Sequence, residues 1–370
     1  MSSIIEVAIA VPLHNTFDYL CDYQVNIGAR VSVPFGRKKV VGVVLAEKNK
    51  SDYDNLRSVE EVLDKDGILS KEILDFLFWS ANYYHHPIGE VLLSALPKNL
   101  RQGKPAVVKK LTAHERELTP CNFETTKEQK TAIDAVLKSQ NSFHSFLIHG
   151  VTGSGKTEVY LRVTESLLKK GRQVLVLVPE IGLTPQMISR FEERVETKVV
   201  SIHSQLNETQ KTDAYLMAKN AEAGVILGTR SAIFTPIPKL GLVIVDEEHD
   251  DSFKQQSGFR YSARDLCFMR AKFANIPLLL GTATPSLETL KNVLDGKLTR
   301  LVLSSRPGAA ILPEINLIDM RAQSAEALSQ PLVARMRHYL DDNKQVMLFI
   351  NRRGYAPVFF CTECDWRAEC

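Results

Sequence analysis

Two textures of apolar and polar positions divide the chain. Over its first third the apolar runs are short and β-rich. Val7-Ala8-Ile9-Ala10-Val11 ends at Pro12, Val31-Ser32-Val33 runs into the turn signal Pro34-Phe35-Gly36, and Lys39 to Leu45 carries Val40, Val41, Val43 and Val44. Ile73, Leu74, Leu77 and Phe78 then recur at helical spacing and predict a helix from Lys71 to Tyr84 with Ser70 as its N-cap. From Phe123 continuous apolar runs alternate with helical stretches. They are Phe146-Leu147-Ile148-His149, Val174 to Val178, Val199 to Ile202, Val225-Ile226-Leu227, Leu242 to Val245 and Pro277 to Leu280. Unbroken apolar strands fit burial on both faces, and their alternation with helices predicts a parallel sheet covered on both sides. A further helix is expected near Met336, and Val346-Met347-Leu348-Phe349-Ile350 reads as the first strand of a second such sheet.

Length and composition sharpen this picture in three ways. A chain of 370 residues is too long for one ordinary core and predicts two or three domains. The formal net charge is only +3, so any nucleic-acid binding must come from local basic patches. One such run, Lys98, Arg101, Lys104, Lys109 and Lys110, contains no acid and reads equally well as a solvated linker or as a segment that touches phosphates. No secretory signal or membrane-spanning run is visible, and the expected compartment is the cytoplasm. Of the six cysteines, Cys361, Cys364 and Cys370 crowd together, which points to metal more than to disulfides.

The chemistry is carried by a loop. Gly150-Val151-Thr152-Gly153-Ser154-Gly155-Lys156-Thr157 fits the phosphate-binding pattern in full and stands between a predicted strand and a predicted helix. Its glycines let backbone N–H groups turn around phosphates, Lys156 can reach the β and γ phosphates of ATP, and Thr157 can bind Mg²⁺. Downstream, the apolar run Leu242 to Val245 delivers Asp246-Glu247-Glu248-His249. Asp246 is expected to hold Mg²⁺ and Glu247 to orient and deprotonate the attacking water. Gln129 is a candidate for reading adenine.

Many ATPases share these two motifs, and the intervening segments decide between them. Val178-Pro179-Glu180-Ile181-Gly182-Leu183-Thr184-Pro185-Gln186, Gly228-Thr229-Arg230-Ser231-Ala232, Asp246-Glu247-Glu248-His249-Asp250 and Gly281-Thr282-Ala283-Thr284-Pro285-Ser286 follow the loop in order. Together they resemble superfamily 2 helicases, and within them the primosomal protein N′ (PriA) family of replication-restart DNA helicases. The resemblance implies an α/β fold: a RecA-like parallel-sheet helicase lobe preceded by a small β-rich DNA-binding domain, with the start of a second RecA-like lobe. The expected division is 1–105 for a domain that binds DNA 3′ ends, 106–122 for a basic linker, 123–328 for the first helicase lobe, and 329–370 for the start of the second lobe and of a zinc module. Thr184, Gln186, Thr229 and Arg230 sit where loops grip a strand's phosphates without reading sequence.

The segment Phe253 to Tyr261 interleaves aromatics with Lys254 and Arg260. The resemblance implies that Phe259, Arg260 and Tyr261 contact single-stranded DNA. In the N-terminal domain it implies that Asp18 accepts a hydrogen bond from a terminal 3′ hydroxyl, that Phe17, Tyr19 and Gly36 shape the pocket, and that Arg57 contacts phosphate. Taken by itself, Phe17-Asp18-Tyr19 suggests only a turn with buried aromatics. Family members usually carry a winged-helix domain after the N-terminal domain, and the stretch between Arg101 and Phe123 is too short for one. The resemblance places Cys361, Cys364 and Cys370 at zinc, with Cys370 belonging to a different site from the first pair. Zinc needs four ligands, so no stable site is expected from these three cysteines, and Zn²⁺ is expected in a longer protein.

The implied function is an ATP-dependent DNA helicase, 3′ to 5′, acting at stalled forks with primosome proteins and single-strand-binding protein as partners. These 370 residues alone are expected to bind ATP, Mg²⁺ and DNA without full motor activity. The alternative is a non-catalytic fork-binding module.

Overall fold

A computed structural model describes residues 3–108, 124–179, 184–306, 314–319, 328–349, 364 and 366. Glu180 to Leu183, most of the basic linker, Asn351 to Tyr355, Cys361 and Cys370 lie outside the described residues. Among the described residues no helix is long and apolar enough to cross a membrane.

The N-terminal domain is a six-stranded sheet followed by three helices. Its strands are β1 (Ser3–Ile9), β2 (Phe17–Cys21), β3 (Arg30–Phe35), β4 (Lys38–Lys48), β5 (Arg57–Ser58) and β6 (Glu61–Val62). They lie in the order β5-β2-β1-β4-β3-β6. Phe17 to Cys21 is therefore a strand, paired antiparallel with β1, where the local sequence suggested a turn. The helices are α1 (Lys71–Tyr83), α2 (Ile88–Ser94) and α3 (Lys98–Arg101), so the basic run opens in a helical turn. Arg30 is fully buried and forms a two-pronged pair with Asp64 while donating to the carbonyls of Leu100 and Lys104. These bonds satisfy a charge that burial alone would destabilise and fasten the end of α3 to the sheet.

The second sheet carries the nucleotide motif. Its elements are α4 (Lys127–Lys138), β7 (His144–Gly150), α5 (Lys156–Leu168), β8 (Gln173–Leu177), α6 (Thr184–Glu192), β9 (Lys198–Ile202), α7 (Glu208–Lys219), β10 (Ala223–Gly228), β11 (Leu240–Asp246), α8 (Ala263–Phe273), β12 (Pro277–Thr282), α9 (Leu287–Leu294) and β13 (Thr299–Leu303). Seven parallel strands run in the order β13-β7-β12-β11-β8-β10-β9. Alternate strand residues feed two cores, as the pleat requires. Phe146, Ile148, Val174, Val176 and Ile244 pack with α4, α5 and α6. Leu147, Leu175, Leu177, Val243 and Val245 pack with α7 and α8. β13 escaped the apolar pattern because Thr299 and Arg300 are exposed on an edge strand.

The second of these cores continues into the N-terminal domain. Phe76 of α1 lies 6.1 Å from Phe234 and 6.4 Å from Phe273, and the Arg270 guanidinium stands 5.8 Å above its ring. Residues 1–309 accordingly form one compact unit in which the two sheets share an apolar core. Residues 310–370 form a second unit. Its described helix is α10 (Gln330–Asp341), which buries no residue. The strand expected from Val346 is not formed across residues 346–349, since the unit's described residues offer no strand to pair with.

Candidate nucleotide site and nucleic-acid interface

The phosphate loop leaves the end of β7 and enters α5. Gly153 (φ +82°) and Gly155 (φ +84°) are left-handed, a conformation that favours glycine. A Cβ at Gly155 would come within 2.3 Å of Gln129 Nε2, so the third glycine is also required by packing. The Lys156 ammonium donates to the Gly150 carbonyl at 3.0 Å and stands 3.9 Å from Glu247 Oε1. The Ser154 hydroxyl is buried with no hydrogen-bond partner. An orphaned hydroxyl, two left-handed glycines and an ammonium at a helix N-terminus fit a polyphosphate. Gln129 is 3% exposed, accepts from the Thr126 N–H as half of a capping box, and donates to the Ser154 carbonyl. Its amide braces the loop in this structure.

Asp246 and Glu247 arrive at the end of β11, beside the loop. Burial, then the Glu247 charge, pushes the Asp246 carboxyl above its ordinary range. The Tyr160 hydroxyl, one turn along α5 from Lys156, donates to Asp246 Oδ1 at 2.9 Å. Tyr160 is fully buried, and a Cβ at Gly281 would lie 1.6 Å from its hydroxyl oxygen. Sequence reasoning missed Tyr160. Its signal was the spacing of four from Lys156, which puts both on one helix face. Glu247 has φ +46°, an uncommon conformation for a residue with a side chain. Thr157 and Asp246 supply the oxygen donors that a Mg²⁺ ion takes, and the loop amides and Lys156 would hold the phosphates.

Two connections lead away from this acidic motif. His249 Nδ1 lies 2.8 Å from Thr282 Oγ1, which accepts from the Thr284 N–H. Glu248, 1% exposed, accepts from the Ser286 N–H, the Thr289 hydroxyl and Arg264 at 2.9, 2.9 and 3.1 Å. Glu248 therefore ties the acidic motif to the Gly281–Ser286 segment and to α8, a role the motif spacing did not reveal.

The expected DNA contacts fall in two places. On the N-terminal sheet Phe17 stacks edge-on with Phe35 at 5.2 Å, and Arg57 donates to the Gly36 carbonyl at 2.9 Å. Gly36 is left-handed with open space where a Cβ would be. Tyr19 is buried, and its hydroxyl donates to the Pro34 carbonyl at 3.2 Å. Asp18 accepts from Lys48 and Ser51 at 2.8 and 2.7 Å. Each carboxylate oxygen keeps capacity for a further donor. On the larger sheet, Thr229 and Arg230 follow β10, and Gln186 is exposed on α6, the helix that begins at Thr184. Arg230 donates to the Ser252 carbonyl at 3.0 Å.

Comparison with known proteins adds the decisive observation. Residues 6–97 match the 3′DNA-binding domain (3′BD) of PriA, and residues 126–293 match the DEAD/DEAH box helicase family. The chain is similar to the replication restart protein PriA of Haemophilus influenzae, 38% identical over 99% of this chain and 61% of the relative. It is also similar to that of Rickettsia conorii, 36% identical over 98% of this chain and 56% of the relative. The chain belongs to the PriA family. It spans about three-fifths or less of these PriA relatives' length. The Haemophilus alignment runs over 444 positions, so that PriA carries residues with no counterpart here. Among solved structures, RecG bound to a three-way DNA junction shares 23% identity over 51% of this chain and 25% of that chain, with a TM-score of 0.41.

One expectation drawn from the PriA resemblance needs correction. Phe259 and Tyr261 are 7% and 8% exposed, so neither ring is open to stack on a base in this structure. Phe259 packs 5.1 Å from His86 and 5.8 Å from Tyr84, and Tyr261 packs 4.9 Å from Phe234. The Tyr84 hydroxyl also accepts from the Ser262 N–H. Burial here joins the N-terminal domain to the larger sheet. Arg260 alone of the three is exposed. Among the described residues no group of three or more His, Cys, Asp or Glu could hold a metal ion, and Cys364 is exposed and free.

Proposed function

We propose that this chain supplies the ATP-binding lobe and the 3′-end-binding domain of a 3′ to 5′ DNA helicase that restarts stalled replication forks. The observation that carries this reading is convergence. Lys156, Asp246 and Glu247 meet at the carboxyl edge of the sheet that also presents Thr229 and Arg230. Lys156 would exchange the Gly150 carbonyl for the β and γ phosphates. Thr157 and Asp246 would hold Mg²⁺, which neutralises phosphate charge when bound. Tyr160 would keep Asp246 in place, and Glu247 would orient the attacking water. The bonds from His249 to Thr282 and from Glu248 to Ser286 give the site a mechanical route to its neighbours. In the N-terminal domain, Asp18 would accept the terminal 3′ hydroxyl between Phe17 and Gly36, with Arg57 on phosphate. Arg260 would add a phosphate contact. Primosome proteins and single-strand-binding protein are proposed partners, and Cys361, Cys364 and Cys370 are proposed to join zinc sites in a longer protein.

Titration with a fluorescent ATP analogue, with and without Mg²⁺ and forked DNA, tests the reading. The chain is expected to bind the Mg²⁺–nucleotide and to prefer forks ending in 3′-OH over forks ending in 3′-phosphate. Failure to bind nucleotide, or equal response to structured RNA, would overturn it.

A further inference from the structure

Helix α6 and the turn after it present one stripe to the core and a second to α5. Met187, Phe191 and Val195 recur every four residues and are buried in the core that α6 shares with α4 and α5. Arg190 and Arg194 each stand one residue before a buried position, so they line up along the flank of that face. Arg194 donates to Glu158 at 2.9 Å and pairs with Glu165 at 2.7 Å, and Arg162 reaches Glu158 at 2.8 Å. These ion pairs fix the flank against α5. Arg190 lies one turn closer to the phosphate loop. Its Nη1 stands 3.4 Å from Thr157 Oγ1, a long hydrogen bond to a neutral hydroxyl. Arg190 is exposed, and among the described residues no carboxylate pairs with it.

We infer that Arg190 is a ligand of the nucleotide's phosphates, a cation delivered by α6 to stand beside Lys156. The inference rests on the nucleotide-site reading above and adds to it a residue outside both the loop and the acidic motif. Thr157 follows Lys156 where the loop enters α5, so a guanidinium against its hydroxyl is within reach of phosphates held by the loop. Phosphate is also the better partner. Charge-assisted hydrogen bonds are roughly twice as strong as neutral ones, and the planar guanidinium matches two phosphate oxygens at once. The charges around the loop call for a further cation. A triphosphate carries more negative charge than Mg²⁺ cancels, Asp246 and Glu247 add carboxylates, and the loop itself supplies only Lys156. Because α6 begins at Thr184 and carries Gln186, the phosphate ligand sits on the helix that bears two of the proposed DNA contacts.

The experiment uses the whole chain. Isothermal titration calorimetry follows ATP binding by the wild type and by Arg190→Gln, in Mg²⁺ and again in EDTA. The variant should bind about 10- to 100-fold more weakly under both conditions, the range for one charge-assisted hydrogen bond. Its melting temperature should be unchanged, since Arg190 has no ion pair to lose. If the wild type binds no nucleotide in Mg²⁺, the nucleotide-site reading itself fails. If the wild type binds and the variant matches it, the assignment of Arg190 alone is overturned. A loss confined to Mg²⁺ would mean that Arg190 acts only by positioning Thr157, and would overturn the assignment too. Phenylglyoxal labelling followed by mass spectrometry gives a second measurement on the wild type. Mg²⁺–ATP and inorganic tripolyphosphate should each protect Arg190, while exposed Arg37 of the N-terminal domain stays reactive. Labelling of Arg190 that neither ligand slows, or that ATP alone slows, would remove the phosphate contact.

Discussion

The phosphate loop and the aromatic segment 253–261 lie at the same edge of one sheet, yet the structure is at odds with the reading of only the second, where Phe259 and Tyr261 are buried. In the loop the backbone makes the site, through left-handed Gly153 and Gly155 and the start of α5. Few arrangements other than an anion site need that pattern of glycine, lysine and strand–helix context. In the aromatic segment the side chains were expected to make the site, and a ring stacks on protein as readily as on a base. Phe259 and Tyr261 have found protein rings 4.9 to 6.0 Å away. A motif built from backbone demands is specific, whereas one built from aromatic faces leaves the partner open.

The comparison breaks most visibly at Phe259. Phe259→Ala should destabilise the chain by about 3–5 kcal/mol, the usual loss for a buried phenylalanine. For a unit of this size that lowers the melting temperature on the order of 10 °C, read by calorimetry. If stability holds while single-strand affinity drops instead, the segment is a DNA platform and the contrast with the loop collapses.

The sequence's legibility follows the same division. Apolar runs located six parallel strands because strands buried on both faces have no polar positions to confuse the period. β13 and β2 were missed, the first for its exposed Thr299 and Arg300 and the second because Phe17-Asp18-Tyr19 reads locally as a turn. Motif spacing singled out Lys156, Asp246 and Glu247 as candidates, but not Tyr160 or Glu248, which the fold places beside them. Their roles depend on Gly281, Ser286 and Thr289, which are distant in sequence and meet them only in the fold. The shared core between the two sheets was equally hidden. Phe76 and Phe234 look like core residues of separate domains until α1 and α8 are placed together.

Lys156 should behave as the reverse of Phe259. Its ammonium has one short bond, to the Gly150 carbonyl, so the fold depends little on it. Charge-assisted hydrogen bonds to phosphate are each worth roughly 1.5–3 kcal/mol. Lys156→Ala should therefore weaken Mg²⁺–ATP binding by about 10- to 100-fold in isothermal titration calorimetry, at nearly unchanged melting temperature. Unfolding of this variant, or intact nucleotide affinity, would remove the loop's claim to be a binding feature separable from the core.

Asp246 completes the series with an effect of opposite sign and smaller size. Burial and the neighbouring Glu247 charge raise its carboxyl above the ordinary 3.8, so the folded state prefers the protonated form. A group raised in this way contributes stability below its unfolded pKa and loses that contribution as pH climbs through the folded pKa. At pH above the ordinary carboxylate range Asp246 is then a net burden on the fold. Asp246→Asn removes the burden and keeps an oxygen for the Tyr160 hydroxyl. The variant should melt at a higher temperature than the wild type at pH 7, and the gap should close as pH falls toward 4, while Mg²⁺-dependent nucleotide binding is lost at both. A variant less stable at pH 7, or a gap independent of pH, would mean that the Tyr160 bond outweighs desolvation. In that case the acidic motif, like the aromatic segment, would be part of what holds the two sheets' shared unit together.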